Sequence, residues 1–150
     1  MAGYTQGARN PNELADVMNS TYRTILRKSE ELLSEEGLTR PQFQALRCVA
    51  EKGATPMKGI SDKLSVTPAN ITGIIDRLES KGLLRRSAQA GDRRATIVEL
   101  TTKGTAVQER VSTKYKEFMK GSLKALSRDE QKSLRDILVK LQEGMSQSIR

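Results

Sequence analysis

Histidine and tryptophan are both absent from this 150-residue sequence, and there is one cysteine, Cys48. Without histidine there is no Ser/His/Asp triad, no Cys/His dyad and none of the usual zinc ligand sets. A single thiol excludes an internal disulfide and suits a reducing compartment. Aromatic residues make up only 3% of the chain, so its core must be aliphatic. No apolar run approaches the ~20 residues of a membrane span, and the opening Met1-Ala2-Gly3-Tyr4-Thr5 lacks the apolar stretch of a signal peptide. Together these absences predict a soluble, cytoplasmic chain that uses no metal and no cofactor. They also predict that it is not an enzyme, because no nucleophile–base constellation is left.

The chain is basic, with 26 Lys and Arg against 18 Asp and Glu, a net charge of +8. Residues 1–53 are balanced, whereas residues 54–104 and 105–150 each carry an excess of four positive charges. In the last segment the excess is spread around helices and reads as a solvated face. In the middle it gathers in Arg77, Lys81, Arg85, Arg86, Arg93 and Arg94, which is the pattern of a polyanion footprint.

The capping signals and apolar spacing predict a mainly α (α+β) fold. Asn10-Pro11-Asn12-Glu13 starts a helix whose Leu14, Val17, Met18, Tyr22, Ile25, Leu26, Leu32 and Leu33 keep near-helical spacing to about Ser34. Thr39-Arg40-Pro41-Gln42 opens a second, with Phe43, Leu46, Val49 and Ala50 on one face and Gly53 as its stop. Thr55-Pro56 predicts the start of a short third helix through Ile60 and Leu64. After the turn Ser65-Val66-Thr67, Thr67-Pro68 caps a fourth, whose Ile71, Ile74, Ile75 and Leu78 form a buried stripe. Extended runs Leu83 to Ser87 and Ala95 to Leu100 flank Gly91 and Asp92 as a hairpin. A long helix follows Thr101-Thr102-Lys103-Gly104. A last one follows the capping box Ser127-Arg128-Asp129-Glu130, with Leu134, Ile137, Leu138, Leu141 and Met145 in a stripe.

This pattern divides the chain into a flexible tail (1–11), a dimerisation and a support helix (12–53), a winged helix-turn-helix lobe (54–104) and C-terminal dimerisation helices (105–150). With only 36% apolar residues, the striped terminal helices read as one intertwined dimerisation bundle built from both ends of two chains. Covering a single-chain core is the alternative reading.

Residues 56–101 hold two linked probes suited to the two grooves of duplex DNA. Opposite the apolar stripe of the fourth helix lie Pro68, Ala69, Asn70, Thr72, Gly73, Asp76 and Arg77, small or hydrogen-bonding side chains that allow close approach to base edges. Asn70 matches the bidentate edge of adenine, and Thr72 a base or a thymine methyl. The helix N-terminus, with Thr67, suits a phosphate. At the hairpin tip, Gly91-Asp92 supplies turn chemistry, so Arg93 and Arg94 are in excess of what a turn needs and suit a narrow minor groove. Asp92 is expected to pair with Arg94 or its neighbour and stiffen the tip. An ordinary solvated face and a charged turn are the bland readings of the same residues.

Leu64-Ser65-Val66-Thr67, the run from Ile74 to Arg86, the tip Gly91-Asp92-Arg93-Arg94 and Leu100-Thr101-Thr102-Lys103-Gly104 resemble, in order and spacing, the MarR family of winged-helix transcriptional regulators. The resemblance runs from about Asn12 to the end. It implies a homodimer that binds double-stranded DNA at a pseudo-palindromic operator as a repressor and releases it on binding a small aromatic or phenolic effector. It places major-groove reading on Pro68, Ala69, Asn70, Thr72 and Gly73, phosphate contact on Thr67, Arg77 and Arg86, and wing contact on Asp92, Arg93 and Arg94. Ser65 departs from the family's Gly or Asn and implies a strained left-handed residue. Tyr22, Arg23, Arg47 and Met57 fall where the resemblance puts an effector pocket, but packing or surface roles fit each of them better. Cys48 reads as a buried apolar filler. The rival function is an architectural DNA-binding protein with little sequence preference and no effector.

Overall fold

The structure, a computed structural model, describes residues 11–89 and 91–148, without the side chains of Gln89, Asp92, Arg93, Arg94, Ala95 and Ser148. The expected N-terminal tail and the Asn10 cap lie outside the described residues. Six helices and three short strands follow in the order α1 (Pro11–Glu35), α2 (Arg40–Lys52), β1 (Thr55–Pro56), α3 (Met57–Leu64), α4 (Pro68–Ser80), β2 (Leu84–Gln89), β3 (Asp92–Leu100), α5 (Thr102–Leu123) and α6 (Arg128–Ser148). The chain packs as two compact units, Met1–Ser112 and Thr113–Arg150.

The first unit holds the aliphatic core that the composition requires. Leu46, Val49, Ile60, Ile75, Leu78, Leu84 and Val98 are its largest fully buried side chains, drawn from α2, α3, α4, β2 and β3. The stripe of α4 is buried as its spacing predicts, at Ile71, Ile75 and Leu78, with Ile74 packed at the edge. On α2 the buried face is rotated from the expected one: Gln42, Ala45, Leu46, Cys48 and Val49 point inward while Ala50 is exposed. Gln42 is tolerated inside because its Oε1 accepts from the Thr39 backbone N–H at 3.0 Å, closing one side of the capping box. Cys48 is buried, which agrees with its reading as filler.

Thr55-Pro56 does not cap α3. It forms β1, paired antiparallel with β3 through Thr55↔Val98 and Pro56↔Ile97, and the helix begins one residue later. The sheet order is β1-β3-β2, so β1 is an edge, and an edge strand tolerates a proline that has no N–H to donate. The Thr55 hydroxyl donates instead to the Gly53 carbonyl at 2.7 Å.

Ser65 is the strained residue that the sequence implies, at φ 53 and ψ 42. Its left-handed turn lets the Val66 N–H reach back to the Ser61 carbonyl at 3.1 Å, the closure typical of a helix C-terminus, and aims Val66 at the core. A side chain in this region costs about 1–2 kcal/mol, partly offset by the extra chain entropy that a glycine would lose. Ser65→Gly should therefore raise the urea midpoint by the equivalent of ~0.5–1 kcal/mol. A lowered midpoint would mean that the serine hydroxyl, and not the backbone, decides this position.

In the second unit, α6 starts at the expected capping box, with the Ser127 N–H donating to Glu130 Oε2 at 2.7 Å and the Glu130 N–H to Ser127 Oγ at 3.3 Å. The bond from the Ser127 backbone holds the Glu130 carboxyl below its ordinary pKa. No described side chain of α6 is buried, and Leu134, Ile137, Leu138, Leu141 and Met145 are all exposed. On α1, in the first unit, Leu14, Val17, Met18 and Tyr22 are exposed as well.

Candidate nucleic-acid interface

The helix-turn-helix is α3, the turn Ser65-Val66-Thr67 and α4. Thr67 caps α4 as expected: its Oγ1 accepts from the Asn70 N–H at 3.3 Å, and Pro68 occupies the first turn. A capping hydroxyl used as an acceptor keeps its hydrogen for another partner, so Thr67 retains a donor at an exposed helix N-terminus.

The exposed surface of α4 has two flanks, set by its helical period. On one side, Ala69, Asn70, Gly73 and Arg77 line a groove of about 360 Å3 together with Thr39, Pro41 and Gln42 at the start of α2. On the other lie Pro68, Thr72 and Asp76, one turn apart. Thr67, Pro68, Ala69, Asn70, Thr72, Asp76 and Arg77 are all exposed. Thr72 donates its hydroxyl to the Pro68 carbonyl at 2.9 Å, which leaves its lone pairs and methyl group for an outside partner. Arg77 has no ion-pair partner among the described residues.

Gly73 stands out on this surface. It sits in mid-helix, and a Cβ built there meets no atom within 4 Å. A glycine in a helix interior costs about 1 kcal/mol relative to alanine. The chain's own packing does not require it, as it does not require Gly121 of α5 or Gly144 of α6, but Gly73 alone of the three lies on the exposed flank of α4, where it leaves the backbone open to close approach.

Arg86, which the sequence reading puts at a phosphate, has its guanidinium held between two carboxylates, Nη1 to Glu79 Oε2 at 2.7 Å and Nη2 to Asp76 Oδ1 at 2.6 Å. Its backbone N–H donates to Glu79 Oε1 at 3.2 Å. Sequence reasoning missed these partners, because Glu79 and Arg86 stand seven residues apart across the Lys81-Gly82 turn rather than at helical spacing. Arg85 is likewise paired, with Glu99 across the hairpin at 2.7 Å.

The hairpin is longer than expected. The ladder runs regularly from Leu84↔Leu100 to Ala88↔Thr96, then jumps to Gln89↔Asp92. Asp92, Arg93 and Arg94 therefore belong to β3, and Arg93, Arg94 and Ala95 occupy an irregularity that leaves three residues of β3 without counterparts on β2. Bulges of this kind bend a strand and re-aim its side chains. The expected contacts of Asp92, Arg93 and Arg94, and the pairing of Asp92 with Arg94, concern side chains outside the described residues.

The Leu100–Gly104 motif anchors the hairpin to α5. Thr101 donates its N–H to the Leu83 carbonyl at 3.1 Å and its hydroxyl to the Gly82 carbonyl at 2.6 Å, while its Oγ1 accepts from the Gly104 N–H at 3.0 Å. Lys103 Nζ reaches the Lys81 carbonyl at 2.8 Å. The Lys81 ammonium donates to the Gly37 carbonyl, tying the end of α4 to the α1–α2 turn. Beside it, Glu36 takes two bonds from Arg110 at 3.0 and 2.9 Å, which hold the Arg110 pKa above its ordinary value.

Comparison with known proteins agrees with this architecture. Residues 38–96 match the sequence profile of the MarR family. The HTH-type transcriptional regulator MhqR of Bacillus subtilis (strain 168) is 35% identical over 88 residues, which cover 59% of this chain and 61% of that protein. The HTH-type transcriptional regulator PecS of Dickeya dadantii (strain 3937) is 30% identical over 125 residues, covering 81% of this chain and 75% of PecS. Among solved structures, a MarR family protein from Bacillus stearothermophilus superposes with a TM-score of 0.77 at 25% identity, covering 95% of this chain and 99% of that one. A buried-stripe helix carrying a bare outer face, an antiparallel wing locked to it, and relatives over most of the chain's length lead to one conclusion: the chain belongs to the MarR family of winged helix-turn-helix transcriptional regulators.

Proposed function

We propose that the protein is a homodimeric, sequence-specific repressor of a pseudo-palindromic operator. Each α4 enters a major groove about one helical turn (~34 Å) from its symmetry mate. Pro68, Ala69, Asn70, Thr72 and Gly73 approach the base edges, Thr67 and Arg77 bond phosphates, and the wing segment Asp92–Arg94 reaches the flanking minor groove. The observation that carries this reading is the bare outer face of α4 around Gly73, a helix glycine that its own fold does not need. The second copy covers the exposed stripes of α1 and α6, which joins the terminal segments 12–53 and 105–150 into one dimerisation bundle. Release by a small aromatic or phenolic ligand completes the reading.

Selection of bound sequences from random duplex DNA, with and without a panel of phenolic compounds, tests it. A two-fold consensus bound at least ~1,000-fold more tightly than competitor DNA is expected, and a ratio near unity would point to the architectural role instead. On the selected site, Asn70→Ala should relax preference at one base pair by ~1–3 kcal/mol. Replacing Arg93 and Arg94 together by alanine should weaken binding to every sequence and make the salt slope shallower by roughly 2–4 per dimer. Unchanged affinity in that double variant would refute the two-groove geometry.

A further inference from the structure

Asp76, Glu79 and Arg86 form one ion cluster at the junction of α4 and β2. Arg86 lies innermost, with 26% of its side chain exposed, against 40% for Glu79 and 56% for Asp76. Glu79 grips both the guanidinium and the backbone N–H of the same residue, so β2 cannot slide or twist against α4 without breaking two bonds at once. A guanidinium can hold two carboxylates in a fixed plane, whereas an ammonium holds its partners without that geometry.

We propose that Arg86 is a positioning residue, clamped by Glu79 and Asp76, that fixes the angle between the recognition helix and the wing. The assignment rests on the reading of these two elements as DNA probes. Arg86 pairs with the fully buried Val98 at the root of the hairpin. From Arg86, β2 runs three residues on to Gln89, a reach of ~10 Å. A rotation of ~10° at Arg86 would then carry the end of β2 by ~2 Å, enough to abolish a hydrogen-bonded contact. The same guanidinium neutralises Asp76, which otherwise presents a bare carboxylate on the wing-side flank of α4, where phosphates would pass.

Clamp and direct phosphate contact predict opposite signs for one substitution. Glu79→Gln removes a negative charge, so electrostatics alone would tighten DNA binding. Loss of the clamp weakens it instead. The test uses the full-length protein at saturating concentration on a duplex carrying the selected operator. Guanine N7 methylation reports the central major grooves, and hydroxyl-radical cleavage reports the flanking minor grooves. Wild type should protect both. Glu79→Gln and Arg86→Lys should keep a near-native urea midpoint and central protection, lose the flanking protection, and bind about tenfold or more weakly.

A complete footprint in Arg86→Lys at reduced affinity would make Arg86 a phosphate contact and overturn the assignment, as would tighter binding by Glu79→Gln. Unchanged footprints and affinities in both variants would overturn it too, with the DNA-binding reading left standing. A wild-type protein that protects neither groove would remove that reading itself, and the clamp with it.

Discussion

Gly104→Ala and Gly73→Ala, one substitution at two helix glycines, should move stability in opposite directions. At Gly104 a Cβ would lie 1.9 Å from the Leu83 carbonyl oxygen and 2.9 Å from its carbon, both backbone atoms of a buried residue. No rotamer relieves that clash, so the start of α5 must move outward by more than 1 Å, on the order of the overlap itself. The move strains the Thr101–Leu83 bond, one of the contacts that seat α5 on the lobe, and the Thr101 cap on the Gly104 N–H. Overpacking costs ~1–3 kcal/mol and each lost hydrogen bond or cap about 1 more, against a helix-propensity gain near 1. The net expectation is a loss of ~2–4 kcal/mol, a large part of the 5–15 that hold an ordinary domain. At Gly73 the added methyl enters open space and only the propensity gain remains, so stability should rise by up to ~1 kcal/mol. Operator affinity should nevertheless fall, because the methyl occupies the surface that α4 offers to DNA. Urea midpoints and operator titrations of both variants decide it. Full affinity in Gly73→Ala would remove the observation on which the functional reading leans most.

What could be read from residues alone follows the range of the forces involved. The stripe of α4, the Thr67 and Ser127 caps and the helix start at Thr101–Gly104 are local signals, set within one or two turns, and the structure places them as read; the Ser65 strain, implied by the family resemblance, is there too. Thr55-Pro56 shows where local reasoning fails. The dipeptide has the form of a helix start, but the carbonyl and N–H groups of β3 needed a neighbour, and a two-residue edge strand supplies one. Arg86 shows the limit more sharply. Its charge and position beside the wing suit a phosphate, and its ion-pair partners within the chain come into view only once the Lys81-Gly82 turn has folded β2 back along α4. The irregular pairing at Arg93–Ala95 is a matter of register, which the hairpin composition does not encode. Gly104 was visible as part of a motif, whereas the reason for it, a carbonyl where a side chain would be, belongs to packing.

Replacing Ile137 and Leu138 together by glutamate should convert the proposed dimer to a monomer and all but abolish operator binding. Both residues are exposed in the isolated chain, Ile137 to 62% and Leu138 to 46%. A 21-residue helix without a buried side chain among the described ones is only marginally stable in water unless something covers its apolar face. A second copy would bury these positions twice over. Four carboxylates forced into such an interface, at several kcal/mol each, outweigh the ~12 kcal/mol that holds a nanomolar dimer. The core of the first unit contains no residue of α6 among the described residues, so the DNA-binding lobe should survive as a folded monomer. Such a monomer engages one half-site at a time and loses the ~100- to 10,000-fold gained by linking two probes on one particle. Light scattering should show the mass halved, and the melting temperature, expected to rise with protein concentration in the wild type, should become independent of it. A variant that stays dimeric would place the self-association surface away from α6. A wild type that is monomeric at micromolar concentration would leave the exposed stripes unexplained and the two-fold operator without a two-fold reader.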